Sequence, residues 1–209
     1  MKLKPYLTLV CLSIVLSLHA QKKLEVQYNR ITINDEQGTK QVFYAEEKEI
    51  KTKSEKIYYW YSSNKISKTE GGYSGKLLNG QYTRYYDNKN VAEKGVFKLG
   101  LKTDQWKNWT PEGILVKESQ WTDGLESGDF VSYDAAGQWD KKGMLINGQL
   151  HGAIVSRTSK DSTAVQYYNQ GQQISEEEYI NSNLFRKSGH YIGDQFNKIF
   201  RKEKTPKAE

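Results

Sequence analysis

The side chains most often used for chemistry near neutral pH are scarce in this chain, which has three histidines and one cysteine in 209 residues. His151 follows Asn147-Gly148, and His190 lies between Gly189 and Tyr191, so each reads as a polar filler of a turn or closing segment. Two isolated histidines without thiolates do not make an ordinary zinc site, which gathers three or four ligands. Asp87, Asp104, Asp123 and Asp134 stand at turns, where aspartate bonds its own backbone, so turn-making explains them better than a catalytic carboxylate pair does. A Gly-Lys-Ser/Thr phosphate loop and a Gly-x-Ser-x-Gly elbow are both absent from the sequence. The expectation is a protein that is not an enzyme and needs no cofactor or metal. What recurs instead is an aromatic series: Tyr61, Tyr85, Trp109, Tyr133 and then Arg157, spaced 24 residues apart. Each carries a polar handle on a broad side chain, the chemistry favoured at interfaces that are apolar at one end and wet at the other. These five are the candidate partner-binding residues. The same ladder could also serve only to stiffen a sheet through cross-strand ring pairs.

The series belongs to a longer repeat. Gln81–Asp104, Gln105–Gly128, Asp129–Gly152 and Ala153–Glu176 align without a gap, and Ile57–Gly80 precedes them. The second position of each unit is Tyr58, Tyr82, Trp106, Phe130 and Ile154, and the seventeenth is Tyr73, Phe97, Trp121, Leu145 and Asn169. Glycine holds the fifteenth position at Gly71, Gly95 and Gly143 and the twentieth at Gly100, Gly124 and Gly148. Self-similarity at such a period is the signature of a repeat architecture in which each unit stacks on its neighbours.

Within each unit the pattern is that of a β-hairpin. Tyr82–Tyr86 and Asn90–Val96 are short runs of strand formers, separated by Asp87-Asn88-Lys89. Pro111-Glu112-Gly113 and Asp134-Ala135-Ala136-Gly137 occupy the equivalent place in the next units. Proline presets φ and glycine accepts the left-handed position that closes a short hairpin loop. The second connection carries Asp123-Gly124 and Asn147-Gly148, again turn pairs. The expected fold is therefore all-β: an elongated antiparallel β-meander of five or six hairpin repeats of about 24 residues, with a short C-terminal closing element. About ten strands at roughly 4.8 Å each would make a sheet some 45–50 Å across. Such a sheet has little second layer, so rings from neighbouring strands are expected to cover strand glycines.

Side chains alternate along a strand, so positions two and five, three apart, point to opposite faces. The more apolar second and seventeenth columns are assigned to the packed face. The fifth column is assigned to the other.

Flanking segments read differently. Residues 1–20 have Lys2 and Lys4, an apolar stretch from Tyr6 to Leu18 and a cleavage point at Ala20-Gln21, the pattern of a signal peptide. Export to the periplasm, cell envelope or medium follows. Removal of the two lysines would take the formal net charge from +6 to +4 and would leave no cysteine, which suits an oxidising compartment. Residues 21–56 read as a degenerate capping repeat, because Asp35-Glu36-Gln37-Gly38 repeats the turn pattern of Asp134 to Gly137. Residues 57–176 hold the five repeats, and residues 177–209 a C-terminal cap and basic tail. There Phe185, Ile192, Phe196 and Ile199 lie on one helical stripe, with Arg186, Lys187, Lys198 and Arg201 elsewhere. The diffuse positive charge does not make a nucleic-acid face. A protein partner is the first expectation, a glycan or cell-wall polymer the second, and peripheral membrane association through the basic tail the third.

Gly95-Val96-Phe97-Lys98-Leu99-Gly100, Gln120-Trp121-Thr122-Asp123-Gly124 and the run from Gly143 to Gly152 resemble the MORN repeat superfamily (membrane occupation and recognition nexus). Residues 57–176 are most similar to the bacterial MORN-variant repeats described as antitoxin-like. The resemblance implies successive hairpins in an elongated sheet, a scaffold role, lipid association in some members, and, for the antitoxin-like branch, binding and neutralising a partner protein. The sequence departs from the pattern in lacking glycine at Asp104, Ser119 and Tyr167.

Overall fold

The computed structural model describes residues 30–34 and 38–182. The expected leader (1–20), the Asp35-Glu36-Gln37 part of the first turn, His190 and the stripe from Phe185 to Ile199 lie outside the described residues. So does the basic tail.

The chain folds as an all-β protein whose fourteen strands are antiparallel in one open sheet, followed by one short helix. The strands are β1 (Arg30–Asn34), β2 (Lys40–Glu46), β3 (Ile57–Ser62), β4 (Lys65–Glu70), β5 (Lys76–Leu78), β6 (Gly80–Tyr85) and β7 (Val91–Lys98). They continue as β8 (Leu101–Trp109), β9 (Leu115–Thr122), β10 (Leu125–Tyr133), β11 (Trp139–Ile146), β12 (Gln149–Ser159), β13 (Ser162–Asn169) and β14 (Gln172–Ile174). Helix α1 is Glu176–Asn181, capped by the Ser175 hydroxyl, which accepts from the Glu178 N–H. It follows the last repeat directly.

From β6 to β14 each strand pairs with the next, the meander that the repeat predicts. Two kinds of turn alternate. At the first turn of a unit, Lys89, Gly113 and Gly137 take positive φ at the end of the loop. The second turn of each unit is Leu99-Gly100, Asp123-Gly124, Asn147-Gly148 or Gln170-Gly171, both residues of each having positive φ. That geometry matches the twist of the flanking strands. It also stacks the units: the glycine N–H of each such turn donates to the carbonyl at the twenty-second position of the preceding unit. The bonds are Gly100 to Leu78 (2.7 Å), Gly124 to Lys102 (2.9 Å), Gly148 to Glu126 (2.7 Å) and Gly171 to Leu150 (2.8 Å).

The amino-terminal third departs from the simple stack. The strand order there is β6-β2-β5-β3-β4, so β2 lies between the first repeat and the second rather than before both. Its first half pairs with β6 (Lys40↔Tyr85, Val42↔Thr83) and its second half with β5 (Ala45↔Leu78). The β3–β4 hairpin is thereby released from β6 and lies across β6–β8. The Tyr59 N–H donates to the Gly100 carbonyl at 2.8 Å, and the Tyr59 and Phe97 ring centroids are 5.0 Å apart. The expected shortage of a second layer is relieved here, because this hairpin supplies one. The apolar edge of β2 explains the insertion: Phe43 is fully buried, and Val42 and Ala45 nearly so. A capping position outside the stack would have left that surface in water, at about 25 cal/mol per Å².

The second column is buried throughout, with Tyr58, Tyr82, Trp106, Phe130 and Ile154 each at most 7% exposed. Phe97 and Leu145 of the seventeenth column join them. Trp106 stacks edge-on to Phe97 (5.0 Å) and tilts against Tyr82 (5.7 Å) and Trp121 (6.4 Å). It also covers Gly95, where an added Cβ would sit 2.2 Å from the indole. This is the ring-over-glycine packing expected of the repeat. Where Ser119 replaces the glycine, its buried Oγ accepts from the Trp121 indole N–H at 3.2 Å, so the polar atom is satisfied.

Candidate functional site

The fifth column divides on folding. Tyr85, Trp109, Tyr133 and Arg157 are half-buried at the loop ends of β6, β8, β10 and β12. By alternation they lie on the face opposite Tyr82, Trp106, Phe130 and Ile154. Tyr61 does not join them. It packs against the hydrophobic core, its ring 5.4 Å from that of Phe43, because the first hairpin is folded over the sheet. The ladder therefore has four members, not five.

Cations accompany these rings. Lys40 Nζ stands 5.8 Å from the Tyr85 ring centroid. The Tyr133 hydroxyl donates to Glu118 Oε1 at 3.3 Å, and that carboxylate also meets Lys107 Nζ at 3.3 Å. Partial burial, then the Glu118 charge, pushes the Tyr133 phenol above its ordinary range, so it remains a proton donor. The Arg157 guanidinium lies 4.8 Å from the Trp139 ring and Lys142 Nζ 4.1 Å from it, with Arg157 also donating to Gln138 Oε1. Cation–π contacts of this kind contribute about 0.5–1 kcal/mol at exposed sites. Trp139, outside the repeat column, thus belongs to the same surface.

A second feature is absent from the sequence reading. Between the β3–β4 hairpin and β6–β8 lies a cleft of about 360 Å³, lined by Gln41, Tyr59, Ser67, Lys68, Glu93 and Lys102 among others. Glu93 faces two cations: Lys102 Nζ at 2.8 Å from Oε1 and Arg84 Nε at 3.6 Å from Oε2. The Lys102 ammonium also sits over Trp106 (3.8 Å) and Trp121 (4.9 Å), at the edge of Tyr59 (5.9 Å). The Tyr82 hydroxyl donates to Gln41 Oε1 at 3.0 Å. Burial first and the Glu93 charge second raise the phenols of Tyr59 and Tyr82, so both remain protonated.

A sequence signal for this cluster exists. Glu93 and Lys102 are positions thirteen and twenty-two of their unit, and the next unit places Lys117 and Glu126 there, with the charges exchanged and again ion-paired. Position twenty-two is otherwise aliphatic at Leu78, Leu150 and Ile174. A charge in an aliphatic column, with an opposite charge nine residues earlier, marks the pair before any coordinates are known.

Among the described residues no group of three or more His, Cys, Asp or Glu is placed to hold a metal ion. His151 is buried, and its Nδ1 accepts from the Gln170 N–H at 3.5 Å. Burial holds its imidazole below the ordinary range. Together these surfaces define a repeat-sheet protein with an aromatic, cation-flanked face and a small polar cleft. No protein-family model matches the chain, and no curated protein matches it in sequence.

Proposed function

We propose that this chain is an exported, non-enzymatic binding or scaffold protein of the MORN-like, antitoxin- or immunity-like kind, which engages a partner protein through its ladder face. The observation that carries the reading is the half-exposed series Tyr85, Trp109 and Tyr133, continued by Trp139 and Arg157 with a cation beside the rings at each end. Rigid rings with polar edges supply contact area at little cost in side-chain entropy, which is why they dominate binding energy at interfaces. The core does not need these faces, since the second column already fills it.

The test is affinity capture of envelope and secreted proteins on immobilised residues 21–209. A parallel column carries the combined Tyr85→Ala, Trp109→Ala and Tyr133→Ala variant, with circular dichroism to verify its fold. A protein retained by the native chain and weakened at least about tenfold by the triple variant supports the reading, since each hot-spot ring is worth about 1–2 kcal/mol or more. Equal retention on both columns removes the ladder from the interface. Export is tested separately by amino-terminal sequencing of the expressed protein, which should begin at or near Gln21.

A further inference from the structure

The cleft under the first hairpin is separate from the ladder and has a different chemistry. Its volume, about 360 Å³, is at the small end of the range for ligand pockets, enough for one compact ligand. Its polar lining is weighted toward donors. Gln41 spends its amide oxygen on the Tyr82 hydroxyl, which leaves the NH₂ end as what the side chain offers a ligand. The Tyr59 hydroxyl and the Lys68 ammonium, on paired positions of β3 and β4, join it on the hairpin side. The phenol of Tyr59 stays protonated because burial raises it.

The charge balance points the same way. The single carboxylate of Glu93 is already held by both Lys102 and Arg84, so one positive charge is left over at that cluster. Lys68, exposed on β4 and without an ion-pair partner among the described residues, adds a second. A net positive, donor-rich cleft favours an anion. Two features favour more than a bare anion. Tyr59 and Ile66 give it an apolar wall against which the C–H face of a ring can lie. The Tyr59 hydroxyl and the Gln41 amide beside Lys68 match a ligand that carries hydroxyls as well as a charge.

We propose that this cleft binds an acidic monosaccharide, alone or as a unit of an acidic polysaccharide. Its carboxylate would lie toward Lys68 and Lys102, its hydroxyls on Gln41 and Tyr59, and its ring against Tyr59 and Ile66. Lys102 reports occupancy, because its ammonium touches the indoles of both Trp106 and Trp121.

The experiment titrates residues 21–209 with D-glucuronate, D-glucose and acetate, followed by tryptophan fluorescence and calorimetry. D-Glucuronate should bind saturably, and D-glucose and acetate at least about tenfold more weakly, a difference of one charge-assisted contact set. Lys68→Glu should weaken glucuronate about tenfold or more, and Lys68→Gln by less. Both changes are on an exposed strand residue, and circular dichroism checks their folding. The ladder triple variant should bind glucuronate as the native chain does, so failure here and failure of the ladder are told apart. No saturable glucuronate binding overturns the proposal. So does glucose or acetate binding as tightly as glucuronate, or an unchanged affinity in Lys68→Glu.

Discussion

Strands β6–β9 and β10–β13 carry the same repeat, yet they bury it differently. Under the first hairpin, Tyr82, Phe97 and Trp106 form one cluster with Phe43, Ala45 and Leu78 from the amino-terminal strands. Farther along, Phe130, Leu145 and Ile154 pack locally, with Leu150 and Tyr168 completing the cluster. Ring gives way to aliphatic chain at corresponding positions: Trp106 becomes Ile154, and Phe97 becomes Leu145. A second layer needs large side chains to fill the space between two surfaces, whereas a single layer needs only enough bulk to cover its own backbone. The repeat thus specifies the sheet, and its departures specify what lies on it.

The largest expected effect separates the two regions. Trp106→Ala removes a side chain that is 1% exposed and touches three aromatic neighbours. It should cost about 3–5 kcal/mol in urea unfolding. Ile154→Ala, equally buried in the smaller cluster, should cost about 2–3 kcal/mol. Equal losses at both sites would mean that the hairpin adds nothing to the packing of the first region.

A smaller effect sharpens the same contrast at the glycines. Gly95→Ala would place a methyl 2.2 Å from the rigid indole of Trp106, and should destabilise by about 1–3 kcal/mol. Gly143→Ala meets the terminal Cδ1 of Ile154 at 2.4 Å, which can shift, and the backbone of Ala153 and Ile154 at 3.3 and 3.4 Å, which yields less, so a loss of about 1 kcal/mol, smaller than at Gly95, is expected. Thermal unfolding of the two variants side by side checks the ranking.

Asp104 tests whether the units are interchangeable at their last position. Gly80, Gly128 and Gly152 have positive φ there, and Asp104 adopts φ +60 without being glycine. Asp104→Gly should stabilise by about 0.5–1 kcal/mol, read as a higher unfolding midpoint. A loss would show that the aspartate side chain contributes more than the backbone strain removes.

The smallest effect is a pH dependence confined to the second region. Burial lowers the His151 pKa below the ordinary 6.5. The unfolded chain therefore takes up the proton first as pH falls. Stability from this group is complete above about 6.5 and lost as pH falls through the lower, folded value. Melting temperatures of His151→Gln should fall less steeply than those of the native chain between pH 7 and 5. Parallel curves would show that His151 does not titrate against folding.

Much of this architecture was legible in residue spacing. Asp123-Gly124 and Asn147-Gly148 identified the turns because few residues tolerate two successive left-handed conformations. The second column identified the buried face because alternation leaves no choice once one face is apolar. Tyr61 was misplaced for a definite reason. Its column is right, but its hairpin is turned over, and the column cannot register a rotation of the whole unit. The Glu93–Lys102 pair was missed because charges were read against composition rather than against the aliphatic column that they interrupt.

The sequence by itself determined the hairpin unit, its period, its turns and the face that each repeated residue occupies from β6 onward. These depend on local φ preferences and on two-residue alternation, which short stretches of chain carry in full. Only the tertiary structure decided that β2 separates the first two repeats, that the first hairpin covers its neighbours and that a charged cleft opens beneath it. Those outcomes turn on which edge the apolar face of β2 finds across a gap of some forty residues. That choice is made by the total surface removed from water, a property of the assembled sheet and of no single segment.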